Sequence, residues 1–520
     1  MGIVSLLTVV SRFLGLARDQ ISAAIFGDSV FNSAFVTAFR LPNLFRRLLG
    51  EGSLTAAFLP TLQHELHDHG RAGAYRLLNQ VVSWLAVITA TLCVLAMVLC
   101  THAHGLIHHL TRDANKWILV ANLSAILFPY LAFICVAAAL NAALNVFEHF
   151  TEPALSPIWL NLCMIVTLGG AGYHWAHSPL TELYWLCAGV LAGGALQMAV
   201  PGAVLVLLGW RPRFHLTLAP RVREIARLMM PGFIGTAIYQ VNILVASYLA
   251  MSIDDNSATV MFYANRLMEL PIGVFAIAVS TVVYPLIARH AVEGKHAEMA
   301  ADFRRGIRLI LIINVPAAVG LALLSFPITR LIYQHGNFNT AATHLMTPLL
   351  TLFAVGMPFF SVVNLTVRAF YSVRDLATPV RVAVVDFFVN LILSLSLMGH
   401  FRALGLVAAS TTAIIVQTVL LQRALMRKLP QLTLAPLAGT AAKILAGAAV
   451  MGAAVRLGWM GLQLAHLSAR LTDLLTVFGL IPLGIGVYAA AIWLLRVEGM
   501  EEVMAVLTRW RRRPAAPAGQ

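Results

Sequence analysis

The sequence predicts an all-α polytopic membrane protein of about fourteen transmembrane helices. Three observations carry that reading. The 520-residue chain is 59% hydrophobic and only 11% charged, where a soluble domain carries about 25% charged residues. Its mean hydropathy is +0.82. Its apolar stretches recur at the length needed to cross a bilayer, roughly 20 residues each. The loops between them leave no room for a soluble domain. The first apolar stretch holds Arg12 and Arg18, and no small-residue cleavage site follows it, so it reads as a span and not as a cleaved signal.

The expected spans lie near 2–26, 31–62, 79–101, 117–146, 154–176, 183–209, 225–252, 258–289, 305–333, 342–371, 379–399, 403–424, 437–458 and 473–495. The second and eighth are long and contain Pro42 and Pro271. Proline removes a helical hydrogen bond, so both should bend or break. Loops then set the orientation. WRPRFHLTLAPRVREIAR, RHAVEGKHAEMAADFRRGIR, RALMRKL and the tail RWRRR are basic, whereas FGDSV, MSIDDNS and HGNFNTA contain no Lys or Arg. Alternating loops fall into these two sets, which places the basic loops and both termini in the cytoplasm. The net charge of +14 is thus a topology signal. No basic patch interleaved with aromatics points to nucleic acid.

An echo between Asn161, after HFTEPALSP, and Asn390, after RDLATPVRV, suggests duplicated halves. The expected division is residues 1–215 and 216–430 as two six-helix lobes, 431–498 as two additional helices and 499–520 as a basic tail. Duplicated halves are a common transporter plan.

The residues that stand out are arginines inside apolar sequence. A charge at mid-bilayer costs at least about 2.5–3.5 kcal/mol, yet Arg12, Arg18, Arg40, Arg46 and Arg47 all fall in the first fifty residues. Arg12 and Asp19, seven apart, share nearly one helix face, and Arg40 and Arg47 repeat that spacing. Glu51 follows Arg47 by four, between Gly50 and Gly52, and Arg266 precedes Glu269 by three, next to Pro271. An internal cationic site for an anion accounts for the set. Snorkelling to the headgroups is the competing account for Arg18, Arg46 and Arg368. Glu51 and Glu269 read as partners holding arginines. Asp386 and Asn390, four apart, are candidates for an ion-coupling site, against a simple hydrogen-bonded buried acid.

Histidines cluster at His64, His67 and His69 and at His102, His104, His108 and His109, without the cysteine or carboxylate pattern of a metal site. Cys93, Cys100, Cys135, Cys163 and Cys187 form no CxxC pair and read as packing residues. No phosphate-cradling loop or nucleophile triad is present, so neither ATP hydrolysis nor covalent catalysis is indicated.

The segments SRFLGLARD, AFRLPNLFRRLLGEGSLTAAFLP and YANRLMELPIGVFAIAVST closely resemble the lipid II flippase family MurJ, also called MviN. The likeness runs over nearly the whole chain. It implies kinship with multidrug and toxin extruders and polysaccharide flippases. It also implies two six-helix lobes about a central cavity, with two further helices forming a groove for a lipid tail. The implied activity is that of a transporter and not an enzyme, moving undecaprenyl-pyrophosphate-linked peptidoglycan precursor across the bacterial cytoplasmic membrane. The implied partners are lipid II, membrane lipids and the cell-wall synthesis machinery. The chain is expected to be a monomer without a cofactor, driven by membrane potential or a sodium or proton gradient. Carried over by motif, the family's essential arginines fall on Arg12, Arg18, Arg47 and Arg266. The chain departs from the family's usual Asp at Asn32 and at Asn265, which questions any role for those two acids as proton carriers. Two alternatives stay open: an ion-coupled exporter of drugs or of other lipid-linked oligosaccharides, and a membrane enzyme acting on polyprenyl pyrophosphate. The latter should show clustered acids for magnesium, which the sequence lacks.

Overall fold

The computed structural model describes residues 2–50, 53–111, 113–273, 277–465 and 467–499. Among the described residues all regular structure is helical. This suits a bilayer, where a helix satisfies its own backbone groups. Nine helical stretches are long and apolar enough to cross a membrane among the described residues. One of them, Ala377–Lys428, holds two expected spans. Helix α3 (Ser53–Leu110) follows α1 (Gly2–Phe26) and α2 (Val30–Phe45) and runs through a break at Gly70, whose φ of 64° is left-handed. Glycine enters that region without the steric cost other residues meet. Farther along, α14 (Ala377–Lys428) breaks the same way at Arg402, with φ 50°. That break falls between the expected spans 379–399 and 403–424.

Proline acts where the sequence places it. Helix α2 contains Pro42, and its backbone widens into a π-turn over Arg46–Gly50. In the eighth expected span one helix runs to Pro271 and the next described helix begins at Ile277, residues 274–276 lying outside the described residues.

The chain forms two compact units. One comprises residues 1–260 and 333–342, the other residues 261–332 and 343–520. In the first unit, helices α4 (Ala114–Leu127), α5 (Pro129–Val146), α6 (Thr151–Val166), α7 (Pro179–Leu207) and α8 (Pro220–Ile253) complete the set. Its core gathers Leu54, Phe58, Leu62, Leu78, Leu140, Leu144 and Leu205 from α3, α5 and α7. On the opposite side of α3, Val94, Leu95, Val98 and Leu99 are exposed. Such an apolar stripe suits a surface that lies in lipid. Segment 333–342 docks on the end of α1, where the Asn337 backbone N–H donates to the Ala24 carbonyl at 2.8 Å. Gly27 and Gly336 have positive φ, and a Cβ on Gly27 would stand 2.6 Å from the Asn337 carbonyl oxygen. The three loops free of Lys and Arg meet here, since Asn256 also donates to Asp28 at 2.7 Å.

In the second unit, α9 (Ser257–Pro271) is followed by α10 (Ile277–Val292), α11 (His296–Leu323), α12 (Ser325–Tyr333) and α13 (Thr340–Ser372). After α14 come α15 (Ala438–Leu464), α16 (Ala469–Leu475) and α17 (Ile481–Leu494). The last two expected spans pack on α11 through Ile312, Ile444, Met451, Val455, Tyr488 and Ile492. The buried Tyr488 hydroxyl donates to the Ile312 carbonyl at 2.9 Å. A tyrosine in a core needs such a partner.

Candidate functional site: the buried arginines

Four residues of α1 and α6 form the most tightly built cationic cluster of the first unit. Arg18 Nη2 stands 2.6 Å from Asp19 Oδ1, with the two side chains 12% and 4% exposed. Arg18 Nε reaches the same oxygen at 3.0 Å. Across the helix pair, Arg18 Nη1 donates to Asn161 Oδ1 at 3.2 Å, and Asn161 Nδ2 donates to the Ser11 carbonyl at 3.2 Å. Burying a charge is costly without such partners. The spacing argument grouped Asp19 with Arg12. The structure pairs Asp19 with its sequence neighbour Arg18. Arg12 is half-buried in the same helix.

The second-span arginines diverge. Arg40 Nη1 donates to the Ile243 carbonyl of α8 at 3.2 Å. Arg46 Nε donates to Asn43 Oδ1 at 2.6 Å. Arg47 lies half-buried in the π-turn, with no hydrogen-bond or ion-pair partner among the described residues. Its expected partner Glu51, and Gly52, lie outside the described residues.

In the second unit Arg266 and Glu269 do lie together, as their spacing suggests, with Nη1 to Oε2 at 3.8 Å and side chains 33% and 47% exposed. Asn265 Nδ2 donates to the other Glu269 oxygen at 3.0 Å. Asn265 and Asn32 each use an amide hydrogen that a carboxylate lacks. Asn32, almost fully buried, donates to the Gly27 carbonyl at 2.8 Å and accepts from Ser22 at 3.4 Å. Asn390 is buried and accepts from Ser394 at 3.4 Å. Asp386 lies one helical turn away in α14, and the described residues contain no group of three or more metal-ligating side chains. Arg368 sits over the Tyr284 ring, 5.8 Å from its centroid, a cation–π contact that supports a structural role.

Two strong pairs escaped the sequence reading. Arg330 of α12 holds the buried Asp473 of α16 with both carboxylate oxygens engaged, at 2.5 and 2.6 Å. Asp375, just before α14, takes Lys428 at 2.5 Å and the Thr378 hydroxyl at 2.6 Å. Each joins residues more than fifty positions apart, beyond the reach of helical spacing rules.

A family model described as lipid II flippase MurJ matches residues 22–469. A probable lipid II flippase MurJ from Rhizobium meliloti is 32% identical, over 93% of this chain and 91% of its own. A lipid II flippase MurJ from Burkholderia cenocepacia is 29% identical, over 73% of this chain and 74% of its own. Among solved structures, a lipid II flippase MurJ in an inward closed conformation shares the fold with a TM-score of 0.77 and 23% identity, over 95% of this chain and 99% of its own. An inward-facing multidrug resistance MATE family transporter of the MOP superfamily follows at 0.63 and 12% identity, over 82% and 99%. The chain therefore belongs to the lipid II flippase MurJ family of multi-span membrane proteins.

Proposed function

We propose that this protein carries lipid II, the polyprenyl-pyrophosphate-linked peptidoglycan precursor, from the inner to the outer leaflet of the bacterial cytoplasmic membrane. The match to the flippase family over residues 22–469 carries the proposal. The chemistry of the arginines agrees with it. A pyrophosphate is multiply anionic, and guanidinium forks suit its oxygens. Arg12, Arg18, Arg47 and Arg266 bind it, with Arg40 and Arg46 as secondary contacts. The sugar and peptide headgroup cannot cross hydrocarbon unaided, whereas the tail stays in lipid along the last two helices. Alternating access exposes the binding residues first to one leaflet and then to the other. Membrane potential, worth about 2.3 kcal/mol per charge per 100 mV, or a sodium or proton gradient engaging Asp386 and Asn390, resets the empty carrier. The protein acts as a transporter and not as an enzyme, as a monomer with both termini cytoplasmic. The meeting of the three Lys- and Arg-free loops in one place supports this orientation.

The test is depletion in cells, with complementation by wild type, Arg47→Ala or Arg266→Ala at matched membrane levels. The readout is lipid II accessible on the outer leaflet. Depletion should trap lipid II inside, and wild type alone should restore it. Unchanged outer-leaflet lipid II on depletion would redirect the assignment to other lipid-linked sugars or drugs.

A further inference from the structure

We propose that Asn161 is the positioning residue for the Arg18 guanidinium and that a neutral amide is required there. The inference rests on the reading that Arg18 meets the substrate pyrophosphate.

Asn161 comes from α6, far from Arg18 in sequence, and is buried where α6 packs along α1. Its two polar atoms have opposite tasks. Nδ2 donates to the Ser11 carbonyl at 3.2 Å, and Oδ1 accepts from Arg18 Nη1 at 3.2 Å. Ser11 and Arg18 are seven residues apart, about two helical turns, so one amide grips α1 at two levels. The amide cannot flip, because its NH2 would then face the guanidinium N–H and its oxygen the carbonyl. A carboxylate could serve Arg18 but has no hydrogen for Ser11, and leucine could serve neither.

Donor counting shows what this arrangement leaves over. Arg18 has five N–H groups. Nε and one hydrogen of Nη2 go to Asp19, and one of Nη1 goes to Asn161. The second hydrogens of Nη1 and Nη2 meet nothing stronger than the Met164 thioether, 3.7 Å from Nη1, among the described residues. Guanidinium N–H groups of this kind donate to phosphate oxygens. Asp19 already balances the arginine charge. A second carboxylate at position 161 would make the cluster net anionic where an anion has to approach.

The experiment measures binding of polyprenyl pyrophosphate to the purified full-length protein, with its melting temperature, for wild type, Arg18→Ala, Asn161→Leu and Asn161→Asp. Asn161→Leu should raise Kd about tenfold, the value of one hydrogen bond to a charged group. Asn161→Asp keeps an acceptor for Arg18, which preserves the fold if the leucine variant fails, and should weaken binding at least as much. A purely structural asparagine would lower the melting temperature and leave Kd of the folded protein unchanged. Wild-type Kd in a folded Asn161 variant, alongside weakened Arg18→Ala, overturns the positioning role. Wild-type Kd in Arg18→Ala removes the pyrophosphate reading itself, and this inference with it.

Discussion

Arg18 and Arg266 carry the same charge in opposite settings. Arg18 is 12% exposed and held by a carboxylate at 2.6 Å and an amide from another helix. Arg266 is 33% exposed, and its carboxylate stands at 3.8 Å, partly engaged by Asn265. The first guanidinium is fixed and largely neutralised. The second is more exposed, and its ion pair with Glu269 is longer. Burial requires the tight pairing, because an unpaired ion away from water is costly, while a more exposed ion pair such as that of Arg266 contributes less. Under the proposed function Arg18 serves both folding and binding, and Arg266 mainly binding.

The largest expected difference comes from deleting each charge. Arg18→Ala breaks the buried pair with Asp19 and should cost about 3–5 kcal/mol of stability. Arg266→Ala should change stability by less than about 1 kcal/mol. Thermal unfolding of the purified proteins reads both, and equal losses would break the comparison. Adding Asp19→Asn to Arg18→Ala should recover most of the stability and none of the transport.

Asn32→Asp should come next, at about 1–3 kcal/mol, because it removes the donor to Gly27 and buries a charge. Asn265→Asp should be milder, since its neighbours are solvated, but it sets two carboxylates four residues apart beside Arg266. It should lower pyrophosphate affinity and leave the melting temperature near wild type. Glu269→Gln should alter stability by about 0–1 kcal/mol and should not weaken binding. A large loss of affinity there would show that Glu269 itself touches substrate.

Local spacing made part of this legible. The Arg266–Glu269 pair follows from a three-residue separation, and the π-turn after Pro42 lies in a span where proline chemistry predicts a bend. The apolar segments and loop charges gave the helical membrane fold. The Arg18 cluster was only half legible. Its arginine and acid stood out as charges in apolar sequence, but Asn161 is brought to them by packing of α6 on α1. Asn161 had drawn notice only as an echo of Asn390. Arg330–Asp473 and Lys428–Asp375 were hidden for the same reason, since long-range pairing leaves no local pattern. The break at Gly70 falls where the polar sequence between the second and third expected spans reads as a loop.

The smallest expected effect is one of pH, at the Asp375–Lys428 pair outside the spans. Burial pushes the Asp375 carboxyl up, but hydrogen bonds from Lys428 and Thr378 more than offset this and hold it at about 2. A carboxyl with a depressed folded value stabilises above its unfolded value, about 3.9. That stability is lost as pH falls through the folded value. The pair should therefore hold at neutral pH and fail between about pH 4 and pH 2. Lys428→Met should move the onset of acid unfolding to higher pH, and an unchanged onset would show that the pair contributes nothing.

The most direct test of the central claim is lipid II translocation in proteoliposomes holding purified wild type, Arg266→Ala or Arg18→Ala plus Asp19→Asn. Wild type should move lipid II between leaflets, and both arginine variants, folded and present at equal amounts, should not. Translocation at wild-type rate by both variants would contradict the claim that these arginines carry the pyrophosphate.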